Sequence, residues 1–266
     1  MKTLLLLITL VAGCSSQQTS QTALIPSGNY RLGSDSEERQ WGYKHSPPVV
    51  LEQQWYDRWE LAPHKRQLQA FSIDKSPVSQ AQYAEFVQST AHKAPWISAT
   101  DYQQQGYLVH PYASVVKYLW DHDQPPILLQ QNPVVLVSFE DAQAYCHWQG
   151  MRLPEESEWE AACRGPEGSR FPWGNPWSEA LLQHQAQGTA NTDAHSKGAT
   201  ANDILDMLGN TFEWTATDFS PSLNDHKVLK SCSWDDAPGT CRCGFRHGRT
   251  PQAKHILIGF RCVAPH

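Results

Sequence analysis

An excess of charge of either sign is the first thing missing. Only 18% of the 266 residues are charged, the net charge is −6, and the signs are mixed along the chain. With no basic patch or stripe there is no electrostatic footprint for nucleic acid, and no nucleic-acid partner is expected. Long apolar runs are scarce too. Beyond the first dozen residues none reaches the roughly 20 residues that a membrane-crossing helix needs. Regular helical periodicity is thin, whereas eleven Trp, eighteen Pro and sixteen Gly are present. That balance predicts a loop-rich fold pinned by aromatic side chains, and the length suits one large domain.

The chain opens with Met1-Lys2, an apolar stretch from Leu4 to Val11, and the small residues Val11-Ala12-Gly13 before Cys14. Residues 1–14 resemble a bacterial lipoprotein signal. The resemblance implies export, acylation of Cys14 as the first mature residue, and attachment to the membrane through the lipid alone. An ordinary cleaved signal peptide would also imply export. Residues 15–22, rich in Ser, Gln and Thr, read as a flexible tether, and 23–266 as the folded domain. Setting Cys14 aside leaves six of the seven cysteines. In an oxidising compartment they allow up to three disulfides, with fifteen possible pairings among six cysteines.

Within the domain, residues 23–34 read as two short strands around a Pro26-Ser27-Gly28-Asn29 turn. Residues 35–66 look like an exposed polar excursion. Phe71-Ser72-Ile73-Asp74 alternates like a strand, and Ser79 with Gln82 makes a capping box for a helix through about Gln88, burying Tyr83, Phe86 and Val87. The long segment 91–132 carries Trp96, Tyr102, Tyr107, Tyr112, Tyr118 and Trp120, which either pack onto the body or line a groove. Asp121-His122-Asp123 reads as solvated, because adjacent residues rarely converge on one ion. Pro133 to Val137 is expected to be a buried strand. Ser138, with Asp141, then caps a helix bearing Ala142, Tyr145, Cys146 and Trp148 that ends before Gly150. Another helix follows Arg152-Leu153-Pro154. Helix-start electrostatics explain its Glu155, Glu156 and Glu158 more simply than a paired-carboxylate active site does. Trp159, Ala162 and Cys163 face inward at helical spacing. Asn191 and Asp193 read as ordinary loop residues.

The stretch from Asp206 to Cys262 is the densest in signals. Gly209-Asn210 demands a turn with positive φ, and in the extended segment after it Phe212 and Trp214 share one face while Glu213 takes the other. An acid beside the carbonyls of a tight turn suits a hard cation such as calcium; the alternative is a surface carboxylate capping the turn.

Taken together, Ile25-Pro26-Ser27-Gly28, Phe71 to Lys75, Pro133 through Trp148, Arg152 to Glu160, Phe171-Pro172-Trp173-Gly174-Asn175, Gly209 to Thr215, Ser233-Trp234 and Gly259-Phe260-Arg261 resemble the formylglycine-generating, sulfatase-modifying family. The resemblance runs from about residue 23 to 264. It implies an α+β, C-type-lectin-like domain that is irregular and stapled by disulfides. Also implied are calcium held by Asp206, Gly209, Thr211 and Glu213, and bridges Cys146 with Cys262 and Cys163 with Cys243. Family oxidases hold copper(I) with two cysteines just after a Gly-Gly-Ser-Tyr turn. Here that segment reads Ser233-Trp234-Asp235-Asp236-Ala237-Pro238-Gly239-Thr240 and has no cysteine, and thiolates rather than aspartates suit the soft ion. Cys232 and Cys241 flank it, either as a third structural disulfide or as a relocated catalytic thiol pair.

Three functional expectations follow. The first is an envelope-anchored accessory or maturation factor that binds a secreted or envelope protein or a small ligand in a groove at Trp234, Asp235, Asp236 and Arg246. The second is an oxygen-dependent oxidase using Cys232, Cys241 and copper(I). The third is a structural envelope lipoprotein.

Overall fold

The computed structural model describes residues 21–106, 109–220 and 223–266, and side chains other than those of 220–224 within them. The expected targeting segment with Cys14, most of the expected tether and Tyr107 lie outside the described residues.

The chain begins with β1 (Thr22–Ile25) and β2 (Gly28–Leu32), the two strands expected around the Pro-Ser turn. They belong to different sheets. β1 pairs antiparallel with β4 (Phe71–Asp74), which pairs in turn with the C-terminal β9 (Val263–Pro265), while β2 pairs with β3 (His64–Leu68). The larger sheet has the order β7 (His247–Arg249), β6 (Leu223–Lys230), β5 (Phe212–Ser220), β8 (Ile258–Gly259), antiparallel except for the β5–β8 pair. The helices are short: α1 (Ser36–Lys44), α2 (Pro48–Glu52), α3 (Trp55–Trp59), α4 (Gln80–Thr90), α5 (Ala99–Gln104), α6 (Tyr112–Val115), α7 (Phe139–Trp148) and α8 (Glu156–Arg164).

Both expected capping boxes form, Ser79 with Gln82 on α4 and Ser138 with Asp141 on α7. Each joins two backbone donors of a first turn to side chains of its own sequence, so these helices start where local chemistry dictates. Their inner faces meet around Tyr83, stacked on Tyr145 at 5.6 Å between ring centroids, with Phe260 edge-on to Tyr145 at 5.4 Å. Such offset and edge-to-face contacts add to the gain from burying large rings.

Two expectations fail. Residues 35–66 are not a solvated excursion: they fold into α1, α2 and α3 and bury Glu38, Val50, Tyr56 and Glu60. The buried acids meet Arg164 and Arg242, which sequence patterning around residues 35–66 does not reveal. Residues 133–137 are buried but form no strand, because Leu136 turns into the left-handed region (φ 63°). Their polar backbone is satisfied one group at a time: Val134 N donates to Val78 O at 2.8 Å, Leu136 N to His255 O at 3.2 Å, and Val137 O accepts from Trp214 Nε1 at 3.1 Å. Buried backbone needs partners but not a ladder.

Three disulfides tie this together: Cys146–Cys262, Cys163–Cys243 and Cys232–Cys241. The first two join α7 and α8 to the C-terminal segment, as the family resemblance implies. All six cysteines are buried.

Candidate functional site

The segment after β6 is held from both sides before its side chains are placed. Trp234 N donates to Asn210 O at 3.1 Å, and Trp234 O accepts from Ala186 N at 2.7 Å. Asp236 closes the turn on itself, its Oδ2 accepting from Ser233 N at 2.7 Å and Ser233 Oγ at 2.5 Å. Asp235 points the other way. Its Oδ1 lies 2.6 Å from the same Ser233 hydroxyl, whose single proton the two acids share, and its Oδ2 lies 2.7 Å from Nε2 of His110, whose ring sits 4.8 Å from that of Trp234. Behind them His255 Nε2 lies 3.2 Å from the Tyr102 hydroxyl.

Of these groups His110, Trp234 and Asp235 line a groove of about 420 Å³ between the 110–117 segment, residues 186–187 and the Trp234 turn. Two titratable groups next to them, neither lining the groove, are shifted in opposite senses. Burial, then the neighbouring Asp235 charge, pushes Asp236 up to about 6. Burial, then Arg249 and His110, pushes His255 down to about 4. At neutral pH, His255 is a neutral hydrogen-bonding group and Asp236 is ionised. His110, Tyr102 and His255 carry no local sequence signal. His110 is 125 residues from Asp235, in the long aromatic segment whose side chains divide between packing and lining: Tyr102, Tyr118 and Trp120 are buried, whereas Trp96 is 54% exposed. Asp121-His122-Asp123 is exposed, as read from the sequence.

Arg246 does not belong to this groove. Beyond Cys241 the chain turns inward, burying Arg242 and Cys243, and emerges on another face, where Arg246 Nη2 binds Glu156 Oε2 at 2.9 Å and the Phe219 carbonyl at 3.0 Å. The expected ligand set of Trp234, Asp235, Asp236 and Arg246 is therefore split. Arg246 is part of a buried ionic network in which Glu38, Glu60, Glu156 and Glu160 face Arg164, Arg242, Arg246 and Lys230. Burial disfavours charge on Glu160, yet Lys230 and Arg164 outweigh it and hold its pKa at about 2. Glu156 thus does more than complement the α8 dipole.

Cys232 and Cys241 are bonded to each other, with Cα atoms 5.0 Å apart and no exposed surface. The disulfide form has no thiolate to offer a metal, and a catalytic pair would require opening it.

The turn expected to hold calcium has the predicted backbone, with φ of 83° at Gly209 and 63° at Asn210. Asp206 is buried and its carboxyl is pushed up to about 7, first by burial and further by Glu213 and Asp193. Asn210 Nδ2 donates to its Oδ2 at 2.8 Å, and Thr211 Oγ1 is buried without a partner. A buried acid with no salt-bridge cation suits a hard ion that favours its charged form. Glu213 is placed otherwise: fully buried, it accepts from Trp159 Nε1 at 2.7 Å and is bridged by Arg261. It is not a surface cap, and both of its oxygens are already engaged. Of the expected set Asp206 fits such an ion and Glu213 does not, and the Gly209 carbonyl already accepts from Thr211 N at 2.8 Å. Among the described residues no three Asp, Glu, His or Cys side chains converge on one point.

Fold and site together define a disulfide-stapled, loop-rich α+β protein of the formylglycine-generating-enzyme type. The model of the Sulfatase-modifying factor enzyme 1-like domain matches residues 9–265, and the chain belongs to that family. It is 30% identical to the mouse inactive C-alpha-formylglycine-generating enzyme 2, covering 90% of this chain and 84% of that protein. It is 27% identical to the formylglycine-generating enzyme of Mycobacterium tuberculosis, covering 90% and 96%. PvdO from Pseudomonas aeruginosa has the same fold, with a TM-score of 0.66 at 18% identity over 92% of this chain and 94% of that one.

Proposed function

We propose that this chain is an accessory or maturation factor of its family that binds a ligand in the groove at His110, Trp234 and Asp235, without copper-dependent oxidase chemistry. One observation carries the reading: the segment in which copper-ligating thiols would be expected presents Asp235 and Asp236, and its flanking cysteines are bonded to each other. The groove supplies an aromatic face and a His-Asp pair, which suits a peptide or small polar ligand. The name of the mouse relative, an inactive member, agrees with this. On the lipoprotein-like N-terminus, the protein is exported and anchored by lipid at Cys14, so the partner is a secreted or envelope protein or small molecule.

The test is cross-linking in the envelope fraction with wild-type protein and with His110→Ala and Asp235→Ala. Loss of a cross-linked partner in both variants, with unchanged thermal midpoint, supports the groove. Unchanged cross-linking removes it. Stoichiometric copper(I) binding after mild reduction, abolished by Cys232→Ser, would instead favour the oxidase.

A further inference from the structure

A second, larger cavity lies apart from the groove. It measures about 810 Å³ and lies where α3 and β3 face the first turn of α8 and the end of β5. That volume is within the roughly 300–1,000 Å³ of small-molecule sites. Trp59, partly exposed, and Phe219 supply its apolar walls, their rings edge to face at 6.4 Å. Its floor holds three buried polar atoms without a hydrogen-bond partner: Ser157 Oγ, Glu156 Oε1 and Arg246 Nε. The last two are 2.8 Å apart as an ion pair but not aligned as a hydrogen bond. Only Ser157 Oγ among them has no ionic partner, and a ligand hydroxyl can both donate to it and accept from it.

Charge at the mouth has one sign to spare. Four of the facing acids are paired with cations, Glu60 with Arg242, Glu160 with Arg164 and Lys230, Glu156 with Arg246 and Asp218 with Lys227, while Glu155 accepts from Thr217 Oγ1 and keeps its charge, one acid against two spare arginines. Arg58 and Arg66, both exposed and lining the cavity, make no side-chain hydrogen bond or ion pair with the described residues. Free guanidiniums favour a planar anion such as a carboxylate.

We propose that this cavity is a second ligand site that takes an acidic saccharide, with the apolar face of the sugar on Trp59, a hydroxyl on Ser157 and its carboxylate on Arg58 and Arg66. An aromatic wall, an unpartnered buried hydroxyl and two unpaired guanidiniums on one lining match the three kinds of surface on a uronate sugar. The site is independent of the groove at Trp234.

Titration calorimetry with a glucuronate-containing tetrasaccharide tests this, using the neutral glucose tetrasaccharide and glutarate as controls. Binding of the acidic sugar should weaken with salt and exceed that of either control by about tenfold, one good charge-assisted contact's worth. The double variant Arg58→Glu, Arg66→Glu alters only exposed side chains and should abolish it. Trp59→Phe, which keeps the packing against Phe219, should weaken it. No binding, glutarate binding as tightly as the sugar, or binding that survives the double variant would each overturn the proposal. So would loss of sugar binding in His110→Ala.

Discussion

Arg261 holds both oxygens of Glu213, with Nε 2.7 Å from Oε2 and Nη2 2.8 Å from Oε1, and neither side chain reaches solvent. The same guanidinium donates to the carbonyls of Asp74, Leu205 and Asp206, so one side chain locks β4, the Asp206 turn and β5 together. Removing one charge strands the other in a dry interior. Glu213→Gln should therefore cost roughly 3–5 kcal/mol in urea denaturation with the disulfides intact. A loss below about 1 kcal/mol, the scale of an exposed pair, would contradict this burial.

The disulfides should differ in worth. Cys146–Cys262 spans 116 residues, whereas Cys232–Cys241 spans 9. Chain entropy assigns about 5 kcal/mol to the first and about 2.5 kcal/mol to the second. Paired Cys→Ser variants compared by denaturation should keep that order. The reverse order would point to a role for the short bridge beyond closing its loop.

His255 should give an acid-side signature. Its folded pKa, about 4, lies below its ordinary value of 6.5, so the unfolded chain binds more protons between those values. Its contribution is full above pH 6.5 and is lost as pH falls through 4, amounting to about 2–3 kcal/mol between pH 7 and pH 4.5. Asp236, raised from 3.8 to about 6, works in the opposite sense: its contribution is full below 3.8 and is lost as pH rises through 6. His247, also buried and lowered, adds a slope of the same sign as His255, so His255→Gln should make the loss of stability between pH 7 and pH 4.5 smaller without abolishing it. An unchanged stability profile would show that His255 titrates normally.

Calcium at the Asp206 turn is tested by thermal midpoint at pH 8. About 1 mM calcium should raise the midpoint over chelator, as mass action requires of an ion that binds only the folded state. Asp206→Ala should erase the difference. Identical midpoints in calcium and chelator would leave Asp206 as an acid without a metal.

What could be read in advance followed the range of the forces involved. Ser79 with Gln82 and Ser138 with Asp141 announce helix starts because a cap acts over three residues, and both boxes formed. The Gly209-Asn210 turn was legible for the same reason. Glu38 and Glu60 were not, since the arginines that justify their burial lie 126 and 182 residues away. Nor was the separation of Arg246 from Trp234. Only 12 positions part them, but the intervening turn through Cys241 and Arg242 is set by partners elsewhere in the chain.

The sequence by itself determined the family, the α+β fold class, the capped helices and, through the resemblance, two of the three disulfides, because these rest on short motifs and their order. Tertiary structure alone decided that Glu213 is neutralised by Arg261, that His110 meets Asp235, that Cys232 is bonded to Cys241, and that a cavity of about 810 Å³ opens between α3 and α8. Each of these is a contact between side chains whose worth depends on burial and on the charge of a neighbour, and neither exists until the chain has closed around them.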